Sequence, residues 1–458
     1  MNQNHWASLA IALTLAGCTE RRSSTGWAAE VPADATRFEP QALLLPAAPA
    51  ADVTAPPEAA ATAEAPPAPK APARYYAASI TEPTELTLWH AYRASEKEAL
   101  EKVIADWNAL GTKVAVKLRA VPFDAFNDKI TVVVPEGRGP DVFIFAHDLV
   151  GAWSEMGFIE PLSGYTEEAD TASFIPSTVQ ALVYRNALYG LPLAFKCVAL
   201  YYNKALVPKP PTTLDDLITI AKAHTDGQEH FGLVYEAANL YFHAPWVHGL
   251  GGQVLDLDDK IHASDPESVA ALDLVRRLVA TEKITPPNIT TAMVSGYFID
   301  GKAAMVINGP WMRGELSGVD YGVAPLPEVS PGKPARPFLG VEAVFLNKRS
   351  EKKAAAVELM RYLVSDGSAR TRFELGKQPV ANQAIWDSAA KDPAMEAFRV
   401  QAESSVPMPS SPRMQQVWSP YNGALLAVLG GDKDPKSALL AAQKSIEADM
   451  ARAASTAP

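Results

Sequence analysis

Cysteine is nearly absent from this sequence, whose 458 residues include only Cys18 and Cys197. Two cysteines cannot build the disulfide framework of a small secreted scaffold. Acidic residues outnumber basic ones, and the formal net charge of -11 argues against a nucleic-acid partner and against electrostatic attachment to anionic lipid. The apolar fraction of 48% is typical of a soluble globular protein, and the length indicates two or three domains.

Sequence signatures of catalysis, metal binding and cofactor binding are missing as well. We find no nucleophile elbow and no recognisable spacing of a Ser/His/Asp triad. Gly249-Leu-Gly-Gly lacks the dinucleotide fingerprint, and Asp256-Leu-Asp-Asp lacks the glycine and the distal glutamate of a calcium loop. His243 and His248 are not spaced to place two metal ligands on one helical face. We therefore predict no metal, no cofactor and no enzymatic activity.

The N-terminus carries a short apolar run, Trp6–Ala16, with about the length of a signal-peptide core and too few residues for a stable membrane span. It ends in Leu15-Ala-Gly-Cys18, which resembles the lipobox of bacterial lipoproteins, although no Lys or Arg precedes the run. We predict a lipoprotein signal peptide over residues 1–18 and lipidation of Cys18. The alternative is a chance apolar N-terminus. Cys197 is then left alone and is expected to be a small buried residue.

Residues 19–83 are crowded with Ala and Pro and show no periodic apolar face. Such a segment cannot bury enough surface to offset the entropy of ordering it. We predict a disordered tether between a lipidated cysteine and a folded body that begins near Thr84.

One apolar stretch, Leu193–Tyr202, lies near the middle of the folded part and carries a single charge, Lys196. Its length, its bounding Gly and Pro residues and the absence of a helical polar face predict a strand buried on both faces. We interpret this strand as the crossing between two lobes, which puts Lys196 beside a ligand cleft. The alternative is a lysine that reaches solvent from an ordinary strand.

Strand and helix patterns alternate through the body, which predicts an α/β fold with a mainly parallel sheet. Glu85–His90 alternates as a strand, and Ser95 with Glu98 has the spacing of a helix capping box. The apolar stripe of this predicted helix consists of Leu100, Val103, Ile104 and Trp107, and Gly111 ends it. The segment 123–134 begins like a helix and ends like a strand, so its state stays open. Ligands bind at the carboxyl ends of parallel strands. The residues found just past such ends are His90, Arg93, Phe145 and Asp148.

A set of motifs in consistent order resembles the maltose/maltodextrin-binding proteins, members of family 1 of the extracellular solute-binding proteins, which deliver sugars to ABC importers. The longest motif is Gly139-Pro-Asp-Val-Phe-Ile-Phe-Ala-His-Asp148 with the residues that follow it to Leu162. Further matches are Leu200-Tyr-Tyr-Asn-Lys204, Tyr241-Phe242, Gly251-Gly252, Ala304-Met-Val-Ile-Asn-Gly-Pro-Trp311, Tyr321-Gly-Val323, Pro337-Phe-Leu-Gly-Val341 and Met408–Trp418. Many weak matches in one order make a chance resemblance improbable.

The resemblance implies a two-lobed periplasmic-binding-protein fold of class II, with the sugar in a cleft that closes about a hinge. The implied first lobe comprises residues 84–195 and 344–393, and the second comprises 196–343 and 394–458. It also implies a monomer that delivers its ligand to the membrane subunits of an ABC transporter. The expected location is the periplasm or the outer face of the cell membrane.

The resemblance also implies a set of sugar-binding residues, since pyranose rings need flat aromatic faces and fixed polar groups. The residues at matching positions are Phe145, Asp148, Tyr241, Phe242, Trp311 and Trp418. Several charged positions depart from the family. Lys196 stands in place of a glutamate and Arg93 in place of an acidic residue. Leu149 and Asn422 replace arginines. Arg93 and Lys196 are candidates for a rearranged set of hydroxyl contacts, and for each aromatic residue the alternative is ordinary core packing.

The sequence therefore predicts a lipid-anchored receptor for maltose or maltodextrin. Three alternatives remain open. The first is a receptor for a different sugar, because the placement of hydrogen bonds decides between hydroxyl epimers. The second is a carbohydrate-active hydrolase that uses Asp148 with Glu236 or Glu342. The third is a scaffold that has lost its ligand.

Overall fold

The computed structural model describes residues 80, 82–166, 170–256, 258–386 and 392–456. The predicted signal peptide, the lipidation residue Cys18 and nearly all of the predicted tether lie outside the described residues. No helix in these ranges combines the length and the apolar character needed to cross a membrane.

In the first stretch of the body, the described residues form six strands, four helices and two single 3-10 turns. In chain order these are β1 (Thr84–His90), α1 (Ala94–Ala109), β2 (Val114–Ala120), α2 (Phe123–Val133), β3 (Val142–Ala146), the 3-10 turn His147–Leu149, α3 (Val150–Glu155), the 3-10 turn Leu162–Gly164, α4 (Pro176–Gln180), β4 (Val183–Tyr184), β5 (Ala187–Leu188) and β6 (Gly190–Lys196).

The second stretch follows the crossing at Cys197 and Val198. It contains β7 (Ala199–Asn203), α5 (Leu214–Ala223), β8 (Phe231–Val234), α6 (Leu240–Gly249), α7 (Pro266–Arg276) with a π turn over Arg277–Thr281, α8 (Thr291–Ile299), β9 (Ala303–Asn308), the 3-10 helix Pro310–Glu315, β10 (Tyr321–Ala324), β11 (Glu328–Ser330) and β12 (Lys333–Pro334).

The third stretch returns to the first sheet and then to the second lobe. It contains β13 (Phe338–Leu346), α9 (Lys353–Leu363), α10 (Asp366–Glu374), the 3-10 turn Gln383–Ile385, α11 (Pro393–Ser404), β14 (Val406–Pro407), α12 (Met414–Leu429) and α13 (Pro435–Thr456).

Two sheets define two lobes. The first lobe is built on a six-stranded sheet in the order β14-β13-β3-β1-β2, with β6 also paired to β13. β1, β2 and β3 are parallel, whereas β13 runs antiparallel to β3 and β6. The second lobe is built on a four-stranded sheet in the order β10-β7-β9-β8. The predicted α/β, two-lobed fold is therefore confirmed, with a mixed rather than a mainly parallel first sheet. The lobe ranges predicted from the sequence stay a prediction, and β13 begins at Phe338, ahead of the predicted boundary at 344.

Helix α1 follows the predicted apolar spacing but does not begin with the predicted cap. Leu100, Val103, Ile104 and Trp107 recur at helical spacing and pack into the core of the first lobe. The helix begins at Ala94, and its first turn has no side-chain cap. The predicted capping box is therefore wrong, because the Ser95 hydroxyl donates instead to the carbonyl of Gly376, 3.3 Å away.

The ambiguous segment after β2 is helix α2. Phe126, Ile130 and Val134 recur every four residues and are fully buried, so one helical face packs on the sheet. Burial of this face outweighs the β preference of the valine run at the end of the segment.

The predicted crossing strand is divided between the two sheets. β6 ends at Lys196 in the first sheet, and β7 starts at Ala199 in the second. The imidazole of His147 connects two segments near this crossing. Val341 N–H donates to its Nδ1 at 2.9 Å, and its Nε2 lies 3.0 Å from the carbonyl of Met408. Burial lowers the pKa of His147 to about 4, so the ring is neutral and its Nε2–H donates to Met408.

Candidate functional site

The carboxyl ends of the first-lobe strands face the second lobe. α1 begins just past β1, and there the guanidinium of Arg93 lies 3.1 Å from Oε1 of Glu315, in the 3-10 helix of the second lobe. The two backbones also approach closely, because a Cβ atom on Gly314 would lie 2.4 Å from Oγ of Ser95. This edge of the sheet is therefore the boundary between the lobes, as expected for a cleft in an α/β fold.

Lys196 lies buried at this boundary between two carboxylates. Its ammonium is 2.8 Å from Oε1 of Glu96 and 2.9 Å from Oε1 of Glu342. The same ammonium lies 5.6 Å from the ring centres of both Tyr92 and Trp311. The lysine does not extend into solvent, since only 12% of its side chain is exposed. The structure therefore places Lys196 in a buried ion-paired group at the lobe boundary, and its contact with a ligand stays a prediction.

The charges of this buried group influence one another. Burial lowers the pKa of Lys196, but the attraction of Glu342 and Glu96 outweighs it and raises the pKa above its ordinary value. Burial raises the pKa of Glu342 to about 7, Lys196 opposes the shift, and the neighbouring charge of Glu96 adds to it. Oε2 of Glu342 is buried and has no hydrogen-bond partner among the described residues. Lys196 therefore stays charged while Glu342 titrates near neutral pH.

Asp148 follows β3 in the 3-10 turn and reaches the second lobe through an amide. The Nε2 group of Gln415, at the start of α12, lies 3.5 Å from the carbonyl and 3.5 Å from the carboxylate of Asp148. Burial raises the pKa of Asp148 to about 6, against the opposing effect of the Gln415 amide. A half-buried carboxylate with free lone pairs is suited to accept hydrogen bonds from hydroxyl groups.

Three aromatic residues of the second lobe, Tyr241, Trp311 and Trp418, form a connected group with Phe338 at the start of β13, and we call this group the aromatic wall. The ring of Tyr241 lies 6.2 Å from that of Trp311 and 6.5 Å from that of Phe338, and Trp418 lies 6.2 Å from Phe338. Phe338 is buried, whereas the other three rings are partly exposed. Partly exposed rings held by a buried one can receive the apolar face of a ligand ring.

Gly309 sets the position of Trp311 in the aromatic wall. It lies between β9 and the 3-10 helix, and a Cβ atom at this position would lie 2.1 Å from two carbons of the Trp311 ring. The Tyr201 hydroxyl donates to the carbonyl of Gly309 at 2.7 Å and holds this turn in place. Glycine at position 309 therefore permits the close approach of the Trp311 ring to the backbone.

Two predicted ring contacts are packed differently from what the sequence indicated. Phe145 lies between the rings of Phe123, 4.8 Å away, and Phe126, 4.5 Å away, both nearly parallel to it. Both of its faces are covered and it is 5% exposed. Phe242 is also buried, in the core of the second lobe. In this structure both side chains are core residues, and their roles as sugar contacts stay predictions without support from the geometry.

The structure thus brings together Arg93, Lys196, Asp148, Tyr241, Trp311 and Trp418 along the lobe boundary. Sequence reasoning missed their partners Glu96, Glu315, Gln415 and Phe338 as members of this group. Glu96 and Glu315 carry no local signal, since each meets its partner across a large sequence separation. Phe338 and Gln415 lie inside motifs quoted above, which could have indicated them.

Neither a metal site nor a paired set of catalytic carboxylates emerges from the described residues. They contain no group of three His, Cys, Asp or Glu side chains that could hold a metal ion. Asp148 contacts Gln415, Glu342 contacts Lys196, and Glu236 accepts from Thr291 at 2.5 Å and Asn239 at 3.2 Å. Each carboxylate considered for hydrolysis is thus engaged by a different partner.

Comparison with known proteins agrees with this architecture. The family model of the bacterial extracellular solute-binding proteins matches residues 93–370. The chain is 29% identical over 367 residues to the maltotriose-binding protein of Pyrococcus abyssi, covering 77% of this chain and 79% of the relative. It is 28% identical over 343 residues to the galactooligosaccharide-binding protein of Bacillus subtilis, covering 71% and 80%.

Among solved structures, the Thermus thermophilus maltotriose-binding protein bound with maltotriose matches with a TM-score of 0.73 and 28% identity. The match covers 80% of this chain and 100% of that one. The family indicated by the sequence motifs is therefore confirmed. This chain belongs to the bacterial extracellular solute-binding protein family.

Proposed function

We propose that this protein binds a neutral sugar between its lobes, with maltose or maltodextrin as the favoured ligand. The observation that carries the proposal is the aromatic wall of Tyr241, Trp311 and Trp418 in the second lobe. It lies beside the polar groups of the first lobe, because the ammonium of Lys196 is 5.6 Å from the centre of the Trp311 ring. Stacking rings and fixed hydroxyl partners are the two elements that a pyranose requires.

Binding is coupled to closure of the lobes in this proposal. Asp148 of the first lobe and Gln415 of the second meet across the boundary, as do Arg93 and Glu315. A ligand that contacts both lobes favours the closed arrangement, because only there does it make all of its contacts. Arg93 is 53% exposed, so its guanidinium is accessible to a ligand hydroxyl.

The names of the relatives support an oligosaccharide and leave two candidates for its identity. The Pyrococcus relative is named for maltotriose, and the Bacillus relative, at similar identity, is named for galactooligosaccharides. The aromatic wall favours an α-glucan. The exchanged charges at positions 93 and 196 favour a different pattern of hydroxyl contacts, so a second oligosaccharide is the alternative ligand.

We further propose that Cys18 is lipidated and that the protein presents its sugar to the membrane subunits of an ABC importer as a monomer. The support is the lipobox-like sequence that ends at Cys18 and the family assignment. The expected location is the periplasm or the outer face of the cell membrane. Incorporation of radiolabelled palmitate into the wild type, and its loss in Cys18→Ser, would test the anchor.

Isothermal titration with the full chain carrying Cys18→Ser tests the ligand. Maltose, maltotriose, trehalose, sucrose and galactose are added in turn, with tryptophan fluorescence followed in parallel. Saturable binding of maltose or maltotriose supports the α-glucan assignment, and binding of another sugar identifies the alternative. Absence of saturable binding by any of them contradicts the proposal.

The same samples test for hydrolysis. After a long incubation at high protein concentration, the sugar is recovered and analysed by chromatography. A binding protein returns it unchanged, whereas appearance of shorter sugars at a rate proportional to protein concentration favours the hydrolase alternative.

A further inference from the structure

Phe123 is a large apolar side chain with an unusual degree of exposure, 58%. It is the first residue of α2 and follows β2 after Val121 and Pro122. Exposed apolar residues that occur singly on a surface need no explanation. Phe123 differs because it is held in a fixed orientation at the edge of the sheet that faces the second lobe.

The orientation of the ring is set by a stack of three phenylalanines. Phe123 lies on Phe145 with 4.8 Å between ring centres and 24° between planes, and Phe145 lies on Phe126 at 4.5 Å and 14°. Phe126 and Phe145 are both buried. The outer ring therefore rests on a rigid support, and much of its surface stays exposed to solvent.

The position of the stack is given by the strand ends. Phe145 is the penultimate residue of β3, and Asp148, which contacts Gln415 of the second lobe, follows it closely. α1 and α2 both begin at the carboxyl end of the strand that precedes them, and the start of α1 contacts Glu315. Phe123 thus lies on the cleft side of the first lobe, where the sequence predicted an aromatic contact.

A polar donor lies on the same face of the sheet. Trp89 pairs in register with both Phe143 and Arg119, so these three residues share one face, and Phe145 shares it two residues beyond Phe143. The Arg119 guanidinium is 4.6 Å above the Trp89 ring, and no ion pair is formed by Arg119 with the described residues. The Arg119 guanidinium carries several N–H donors that are suited to the hydroxyl groups of a ligand.

We propose that Phe123, rather than Phe145, is the ring of the first lobe that stacks on the bound sugar. The inference rests on the proposed function, since it assumes a pyranose ligand. Phe145 has no face left for a ligand, whereas Phe123 presents one that is already oriented. A ligand held between Phe123 and the aromatic wall contacts both lobes, which is the condition for closure.

Substitutions at position 123 separate stacking from simple apolar contact. In the full chain carrying Cys18→Ser, Phe123→Ala should weaken binding of maltotriose by about fivefold to thirtyfold. Phe123→Tyr keeps the flat ring and should stay within about twofold of the unsubstituted protein. Phe123→Leu keeps apolar area without a flat face and should lose about as much as alanine.

Leu110→Ala is the matched control, since Leu110 is 53% exposed at the opposite end of α1. It should leave binding unchanged. Thermal unfolding of every variant reports whether the stack of phenylalanine rings is disturbed. If Phe123→Ala does not fold, the comparison of Phe123→Tyr with Phe123→Leu tests whether Phe123 stacks on the sugar. If maltotriose binds Phe123→Ala or Phe123→Leu as tightly as it binds the unsubstituted protein, the role of Phe123 is overturned and the proposed function stands. If no sugar binds even the unsubstituted protein, both are overturned.

Discussion

The ammonium of Lys196 lies 2.8 Å from the carboxylate of Glu96, and neither side chain is more than 12% exposed. The two residues belong to different elements, the end of β6 and the first turn of α1. Glu342, 2.9 Å away, completes a group of one cation and two carboxylates at the point where the chain leaves the first lobe. A buried group of this kind is sensitive to the removal of any member.

Replacement of Lys196 by methionine should therefore destabilise the protein strongly. The carboxyl groups of Glu96 and Glu342 would remain buried without their cation, and the expected loss in the free energy of unfolding at pH 7 is ~3–5 kcal/mol. Urea unfolding followed by circular dichroism measures it. Lys102→Met, which removes an exposed pair with Asp106, is the control and should cost less than about 1 kcal/mol. Equal effects of the two substitutions would contradict the buried arrangement.

The titration of Glu342 predicts a characteristic pH dependence. Burial raises its pKa in the folded protein from 4.5 to about 7. Because the folded state binds this proton more tightly, the stabilisation is complete below about pH 4.5 and is lost as the pH rises through about 7. The free energy of unfolding of the wild type, minus that of Glu342→Gln, should thus fall by ~1–3 kcal/mol from pH 4.5 to pH 8. A difference that is flat or rises with pH would show that Glu342 is fully ionised in the folded protein.

The aromatic wall predicts the effect of removing its tryptophans. Trp311→Ala and Trp418→Ala should each weaken binding of the cognate sugar by ~1–3 kcal/mol. Trp311→Phe and Trp418→Phe keep a flat ring and should retain most of the affinity. Isothermal titration measures each variant. Unchanged affinity in both alanine variants would remove these residues from the site.

Gly309 should matter for binding although it has no side chain. In Gly309→Ala the new methyl group would lie 2.1 Å from Trp311, so the ring must leave its place beside Tyr241 and Lys196. Binding should weaken by about as much as in Trp311→Ala. Gly296→Ala is the control, because no atom lies within 4 Å of the added group and helix α8 tolerates alanine. Normal affinity in Gly309→Ala would mean that the ring has room to adjust without loss.

Local patterns predicted the elements better than the contacts between them. The apolar spacing of Leu100, Val103, Ile104 and Trp107 was sufficient to predict α1, because the residues of one helical face recur at intervals of three and four within a short segment. The state of α2 depended on the burial of Phe126, Ile130 and Val134 against a sheet whose strands come from distant segments, which no local window contains.

The candidate site shows the same limit. Trp311, Trp418 and Tyr241 lie in the motifs quoted above and are connected in the structure through Phe338, whereas their role as sugar contacts stays a prediction. Phe145 also lies in a motif, but the two rings that cover it, Phe123 and Phe126, come from α2, the element before β3, and lie outside that motif. Lys196 was identified as a boundary residue from its apolar surroundings. Its two acidic partners could not be inferred, since opposite charges far apart in sequence carry no signal of their pairing.

Only Cys197 and Val198 separate the last residue of β6 from the first of β7. Both are fully buried, and the thiol of Cys197 lies 3.8 Å from the carbonyl of Phe398. A connection of two buried residues has few rotatable backbone torsions, so it restricts the relative motion of the two sheets more than a long flexible linker would. If the proposed closure of the lobes takes place, we expect a rotation of limited range at this connection, with the largest displacements far from residues 197 and 198. Spin labels on the two lobes should report two narrow distance distributions, for the empty and the loaded protein, instead of one broad one.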